Sequence, residues 1–139
     1  MARRVAVVAD DLIWSTRLRE QVRRAGAEPV PVHDRAGLLS AAPLDAAVVD
    51  LTARAYDGIE LVGAAVAEGM RVVAVGQHDD REARRRALDA GAERVFAYRQ
   101  LADAGRAGLA GWLGSDAPDG GVAGTPDGPA PVAPDEGIG

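Results

Sequence analysis

The chain has 139 residues, a length that fits a single domain. Hydrophobic residues make up 47% and aromatic residues only 4%, so the core must be built mainly from valine, leucine and alanine. The absence of cysteine excludes disulfides and thiolate metal sites. No apolar run reaches the length of a signal-peptide core or a membrane span, so we expect a soluble, cytoplasmic protein without membrane contacts.

The net charge of −5 is unevenly distributed along the chain. Residues 115–139 contain five acids and no base, whereas residues 1–114 have equal numbers of acids and bases. A neutral body with an acidic tail argues against nucleic-acid binding. Residues 115–139 also contain five prolines, six glycines and no aromatic residue. We therefore predict a folded domain at residues 1–114 and a disordered, Gly/Pro-rich acidic tail at residues 115–139.

The folded part alternates strand-like and helix-like segments. In chain order, the predicted elements are a strand at Val5–Ala9, a helix at Leu12–Ala25, a strand at Val30–Val32, a helix at Arg35–Ala42, a strand at Ala46–Leu51, a helix at Gly58–Glu68, a strand at Arg71–Val75, a helix at Arg81–Ala90, a strand at Val95–Tyr98 and a helix at Leu101–Leu113. This alternation predicts an α/β fold, with a doubly wound, five-stranded parallel sheet and helices on both faces.

Two of the helices carry expectations about packing. The third helix has Ile59, Val62 and Val66 at helical spacing, which predicts that these three side chains face the core. The last helix contains three glycines, each costing about 1 kcal/mol relative to alanine, so packing must hold it. Its expected anchors are Leu101, Leu109, Trp112 and Leu113.

The second strand contains proline, which cannot donate a hydrogen bond to a neighbouring strand, so this strand is expected at an edge of the sheet.

Acidic residues follow two of the apolar strands. Asp10 and Asp11 come after the first, and Asp50 comes at the end of the third. The carboxyl ends of parallel strands meet at one edge of a sheet, so these acids could hold a hard cation and present a nucleophile. The alternative is structural: Asp10 or Asp11 caps the helix that starts at Leu12, and Asp50 is simply an acid at a strand end.

The chain resembles the receiver domain of two-component response regulators over roughly residues 3–113. The resemblance is carried by VAVVADD, by AAVVD with Asp57-Gly58 after it, by VVAVG and by AGAERVFAY. It implies a flavodoxin-like fold with strand order 2-1-3-4-5. It also implies Mg²⁺ at Asp10, Asp11, Asp50 and the backbone carbonyl of Thr52, with Asp50 as the phosphoacceptor.

The sequence departs from the receiver pattern at three places. The hydroxyl residue that usually ends the fourth strand is replaced by Gly76, and the Met-Pro pair after the phosphoacceptor by Ala53-Arg54. The lysine that usually ends the fifth strand has no counterpart, because every base in the chain is arginine. Tyr98 occupies its position as a neutral donor, and Arg99, one residue further on, is expected to point away.

The leading hypothesis is therefore an atypical, single-domain receiver, not an enzyme, that acts in signal transduction through protein contacts. Its expected partners are a sensor kinase, a phosphotransfer protein or a target. A homodimer through the face of the fourth helix, fifth strand and fifth helix is a further expectation. One alternative is a conventional phosphorylated receiver that uses Arg99 or Tyr98 in place of the lysine. An alternative from another class is a flavodoxin-like binder of a flavin, nucleotide or corrin.

Overall fold

The computed structural model describes residues 3–101 and 108–114. In chain order, its elements are β1 (Arg4–Val8), α1 (Leu12–Arg24), β2 (Glu28–Val32), α2 (Arg35–Ser40), β3 (Ala46–Asp50), α3 (Gly58–Ala67), β4 (Arg71–Gly76), α4 (Arg81–Asp89), β5 (Arg94–Ala97), a 3₁₀ turn (Tyr98–Gln100) and α5 (Leu109–Leu113). The predicted alternation of strands and helices is confirmed, with boundaries that differ by one or two residues at most elements.

The five strands form one parallel sheet in the order β2-β1-β3-β4-β5. This confirms the flavodoxin-like, doubly wound sheet of order 2-1-3-4-5. Strand β2 lies at the edge, where Pro29 and Pro31 pair with Val5 and Val7 of β1 without needing to donate to an outer neighbour. Strand β3 lies at the centre of the sheet, so both of its faces are covered.

Helices cover both faces of the sheet, because alternate residues of each strand point to opposite layers. One layer packs strand residues such as Val7 and Val48 against Leu18 and Val22 of α1 and Leu109 of α5. The other layer packs residues such as Val8 and Val49 against α2, α3 and α4, through Leu38, Leu61, Val62, Ala65 and Ala87. The central strands are therefore apolar on both sides, as their near-continuous valine and alanine runs predict.

Helices α1 to α4 each begin after an aspartate. In every case the carboxylate accepts a hydrogen bond from a backbone N–H in the first turn of the helix. The four capping residues are Asp11, Asp34, Asp57 and Asp80. All these helices start at the carboxyl edge of the sheet. Helix capping alone therefore explains why these four aspartates lie at this edge.

The buried face of α3 differs from the prediction. Leu61, Val62 and Ala65 are buried, whereas Val66 is 37% exposed and Ile59 only partly buried. The prediction was right for Val62 and for Ile59, which packs against the same core cluster, and wrong for Val66. The helix has apolar residues on several sides, so spacing alone does not identify the side that faces the sheet. Val66 packs instead against the end of α4, where a Cβ on Gly91 would lie only 2.8 Å from its Cγ2.

The end of the described chain also corrects two boundaries. Tyr98 was predicted as the last strand residue, but β5 ends at Ala97 and Tyr98 opens the 3₁₀ turn. Leu101 lies in a turn, and the described part of the last helix is Leu109–Leu113. The remainder of that predicted helix, residues 102–107, and the predicted tail, 115–139, fall outside the described residues. All four expected anchors are buried.

None of the helices formed by the described residues is both long enough and apolar enough to span a membrane.

Candidate functional site

Asp50 is the last residue of the central strand β3, and its side chain is only 1% exposed. On one side of β3, Asp50 pairs with Val75 of the neighbouring strand β4. On the other side lies β1, and Asp10 and Asp11 follow that strand within three residues of its end. The parallel register therefore brings all three acids to the same edge of the sheet, as predicted.

One oxygen of Asp50 is the centre of a hydrogen-bond network. Asp50 Oδ1 accepts from the backbone N–H of Thr52 at 2.9 Å, from the Thr52 hydroxyl at 2.8 Å and from the Tyr98 hydroxyl at 2.6 Å. The hydroxyls of Thr52 and Tyr98 also contact each other. A buried carboxylate needs such donors to offset its desolvation. Thr52 was predicted only as a carbonyl ligand, and its role as a donor to Asp50 was missed.

Asp10 and Asp11 have structural partners of their own. Asp11 Oδ1 accepts from the backbone N–H of Trp14 at 3.0 Å, so it is the N-cap of α1. Asp10 Oδ2 accepts from the backbone N–H groups of Arg54 at 2.9 Å and Ala55 at 3.1 Å, which holds the loop after β3. The capping alternative from the sequence is thus confirmed for Asp11. Cap and ligand roles are compatible, because each carboxylate has two oxygens.

Tyr56 is a site residue that sequence reasoning missed. Its hydroxyl lies 2.8 Å from the carbonyl oxygen of Val8 and 2.7 Å from that of Asp50, so it joins the ends of β1 and β3. Burial, followed by the nearby charges of Asp50 and Asp10, raises the pKa of Tyr56 well above the ordinary tyrosine range. The only signal in the sequence was an aromatic residue placed directly before Asp57-Gly58.

Tyr98 connects Asp50 to helix α1. Its ring packs on Trp14 with ring centroids 4.2 Å apart and the planes tilted by 37°. Burial first, and then its hydrogen bond to Asp50, raise the pKa of Tyr98 well above the ordinary tyrosine range. Tyr98 is therefore a neutral donor at the position where receivers usually carry lysine, as the sequence predicted.

Arg99 does not take the place of the lysine in this structure. It is exposed, and it lines a cavity of about 330 Å³ with Gln77, His78 and Tyr98. None of the ion pairs formed by the described residues includes Asp50. The strand-alternation argument that placed Arg99 away from Asp50 does not apply, because Arg99 lies in the 3₁₀ turn rather than in β5.

Two glycines shape the floor of the site. A Cβ on Gly58 would lie 3.1 Å from Leu51 Cα and 3.1 Å from Leu51 Cδ2, so the start of α3 lies closer to Leu51, the residue after β3, than a side chain ordinarily allows. A Cβ on Gly76, at the end of β4, would meet only Leu51, with its nearest atom, Cδ1, at an ordinary 3.6 Å. The position where receivers usually carry a hydroxyl therefore has room for a side chain.

The described fold is that of receiver domains. The receiver domain of NtrX from Brucella abortus is 19% identical, with a TM-score of 0.62, over 68% of this chain and 84% of that chain. A putative response regulator from Chloroflexus aurantiacus is 20% identical, with a TM-score of 0.64, over 71% and 87%. A third similar structure, of a Burkholderia pseudomallei response regulator protein, contains a phosphorylated aspartic acid, a calcium ion and citrate. It is 18% identical, with a TM-score of 0.61, over 69% and 59%.

No family model and no curated protein matches the sequence. The assignment to the receiver fold therefore rests on the three-dimensional similarity.

Proposed function

We propose that the chain is an atypical response-regulator receiver that acts in signal transduction through protein contacts, with Asp50 as its phosphoacceptor. The observation that carries this proposal is the position of Asp50. Its carboxylate ends the central strand, is 1% exposed and is held by three donors on Oδ1. Within the described residues, no hydrogen bond engages Oδ2, so this oxygen remains to react or to bind a cation.

Phosphoryl transfer to Asp50 would follow ordinary acyl-phosphate chemistry. An oxygen of the Asp50 carboxylate attacks the phosphorus of a donor, the new O–P bond forms, and the donor's O–P bond breaks with its electron pair. The hydrogen bonds from Thr52 and Tyr98 to Oδ1 fix the orientation of the carboxylate. The acyl phosphate carries about −1.5 to −2 charge at neutral pH, in place of the single negative charge of the Asp50 carboxylate.

A Mg²⁺ ion is the cofactor that the acids at this edge would take. No three His, Asp or Glu side chains of the described residues converge closely enough to hold a metal by themselves. Mg²⁺ commonly keeps several waters and uses only one or two carboxylates, so this arrangement still fits it. The proposed ligands are drawn from Asp10, Asp11, Asp50 and the Thr52 carbonyl, with one or two of the carboxylates bound directly and the others reached through waters of the ion. The ion would neutralise negative charge on the transferred group.

We expect phosphorylation of Asp50 to be only weakly coupled to a change in the conformation of the domain. A receiver lysine would supply a positive charge, but Tyr98 supplies only a neutral hydroxyl. A hydroxyl side chain at the end of β4 would move to bind the phosphoryl group, but Gly76, which lies there, has no side chain. We therefore propose that the chain works chiefly by its surface, against a kinase, a phosphotransfer protein or a target.

The proposal is tested by incubating the protein with a small acyl phosphate and Mg²⁺ and measuring its intact mass. We expect a gain of one phosphoryl group in the parent chain and none in Asp50→Asn, which keeps an acceptor for Thr52 and Tyr98. Thr52→Ala is the matched control, because it perturbs the orientation of Asp50 but leaves the nucleophile. An unmodified parent chain, or equal labelling of Asp50→Asn, would refute the role of Asp50.

A second candidate function is favoured by the 2.6 Å hydrogen bond from Tyr98 to Asp50. In this alternative the chain is a conventional phosphorylated receiver and Tyr98 substitutes for the lysine. Tyr98→Phe would then lower the yield and lifetime of the phosphoprotein strongly, whereas Arg99→Gln would change neither. Equal yields in Tyr98→Phe and the parent chain would leave only the atypical, contact-based function.

A further inference from the structure

A groove of about 580 Å³ lies along helix α1 beside the turn that follows β5. Its apolar part is formed by the stacked rings of Trp14 and Tyr98 together with Leu101. Arg17, Arg24 and Arg99 line the same groove, and Glu20 is the one acidic residue among the described residues that line it. The groove thus combines an aromatic surface with three guanidinium groups.

The described acids balance only part of the positive charge of this groove. Glu20 forms an exposed ion pair with Arg24 at 3.3 Å. Arg17 lies over the Trp14 ring at 5.1 Å from its centroid and keeps its full charge, because a ring does not neutralise a cation. Arg99 is exposed beside Tyr98. The groove therefore selects for an acidic occupant that also has apolar groups suited to aromatic rings.

We propose that residues 126–136 of the same chain occupy this groove. The segment reads Pro-Asp-Gly-Pro-Ala-Pro-Val-Ala-Pro-Asp-Glu, which contains two successive P-x-x-P patterns and three acids. Proline-rich segments of this pattern adopt the extended polyproline II form and dock into aromatic-lined grooves. The acids Asp127, Asp135 and Glu136 match the three arginines in number and sign.

The segment can reach the groove from where the described chain ends. The Leu113 carbonyl accepts a hydrogen bond from Arg3, so α5 ends at the edge of the sheet where β1 begins. Arg24, the last residue of α1, lies at this same edge. Twelve extended residues from Gly114 to Pro126 span up to roughly 40 Å. The groove side of α1, from Trp14 to Arg24, is about 15 Å long.

The contact would also connect the tail with the Asp50 site. The Tyr98 ring faces the groove, while its hydroxyl donates to Asp50. A bound tail would cover Trp14 and Arg17, and it would therefore compete with any partner that uses this side of α1. This inference does not depend on the phosphorylation of Asp50, and it can fail or succeed separately.

The test uses the full chain and its lack of cysteine. Gly137→Cys creates a single attachment point for a nitroxide label next to the proposed segment. The chain has only two tryptophans, Trp14 in the groove and Trp112 on the buried side of α5, so two indole N–H signals report both positions. We expect the label to remove most of the Trp14 signal and to leave most of the Trp112 signal. In about 1 M salt, where the screening length falls to about 3 Å, the Trp14 signal should return.

Matched substitutions separate specific docking from general attraction. Asp127→Asn, Asp135→Asn and Glu136→Gln together should restore the Trp14 signal, whereas Asp116→Asn and Asp119→Asn, outside the segment, should not. Arg17→Gln with Arg99→Gln should restore it from the other side. Equal broadening of both tryptophans would overturn the proposal. So would broadening that arises only between chains, when label-free ¹⁵N protein is mixed with spin-labelled ¹⁴N protein, because the occupant would then be a second copy.

Discussion

The Tyr98 hydroxyl donates to Asp50 Oδ1 at 2.6 Å, across the distance that separates the ends of β5 and β3. Strand β4 lies between these two strands and ends in Gly76. The Tyr98 ring is fixed from behind by Trp14. A neutral phenol thus holds the buried carboxylate at a place where a cation would compensate its charge.

Tyr98→Phe tests how much this hydrogen bond contributes to folding. The substitution keeps the ring that packs on Trp14 and removes only the hydroxyl, while Thr52 continues to donate to Asp50. Hydrogen bonds to charged groups contribute about 1.5–3 kcal/mol, and we expect the lower part of this range because Tyr98 is half-exposed. Urea unfolding should show a lower midpoint with an unchanged slope. An unaltered midpoint would mean that water replaces the phenol without loss.

The ionisation of the two tyrosines provides a second prediction. The pKa values of Tyr56 and Tyr98 are both raised, mainly by burial, and the chain has no other tyrosine. Tyrosinate should therefore be absent from the ultraviolet spectrum of the folded protein as the pH passes the ordinary tyrosine value of about 10. A normal titration in the folded protein would contradict the burial of the Tyr56 hydroxyl, or the partial burial and the hydrogen bond to Asp50 of the Tyr98 hydroxyl.

The same shifts fix the sign of a pH effect on stability. A group whose pKa is higher in the folded than in the unfolded state stabilises the fold fully below the unfolded pKa. For Tyr56 and Tyr98, the free energy of unfolding should therefore not depend on tyrosine ionisation below about pH 10 and should fall at higher pH. Denaturant titrations of the parent chain and of Tyr56→Phe with Tyr98→Phe, at several alkaline pH values, measure this difference.

Much of the fold could be predicted because its signals are local and repeated. Apolar runs flanked by aspartates and glycines mark the strands and helix starts, and proline in β2 marks the sheet edge. The face of α3 could be predicted only in part, because its apolar residues surround the helix and only the packing of Leu61 and Ala65 on the sheet selects a side. The strand order came from the resemblance rather than from any residue pattern.

The candidate site was predictable in position but not in its contacts. Asp50 and the acids after β1 were recognisable, because strand ends in a parallel sheet share one edge. The roles of Thr52 and Tyr56 depend on how the loop after β3 folds back, and the hydrogen bonds that fix this loop join residues two to 48 positions apart. Such contacts leave no periodic pattern in the sequence.

Alanine substitutions at Gly58 and Gly76 should have opposite consequences. At Gly58 the new Cβ would lie 3.1 Å from the Leu51 backbone, so the start of α3 must shift away from β3. We expect a loss of about 1–3 kcal/mol, as for other overpacked sites. At Gly76 the new Cβ meets Leu51 at an ordinary distance, and we expect no loss, or a gain of up to about 1 kcal/mol. Thermal unfolding of the two variants compares their stabilities directly. Equal losses of stability would argue against the different spacing of Gly58 and Gly76 from Leu51.

Two substitutions at Asp11 can distinguish its role as a helix cap from a role in metal binding. Asparagine caps helices about as well as aspartate, so Asp11→Asn should leave the stability of α1 nearly unchanged, whereas Asp11→Ala should cost about 0.5–2 kcal/mol. If Mg²⁺ binds at the carboxyl edge of β1, both variants should weaken it, because both remove the charge. Titration calorimetry with Mg²⁺ on parent and variants measures the affinity, and Asp34→Asn, the cap of α2, serves as control. Affinity that survives in Asp11→Asn and falls only in Asp11→Ala would assign Asp11 to helix capping alone.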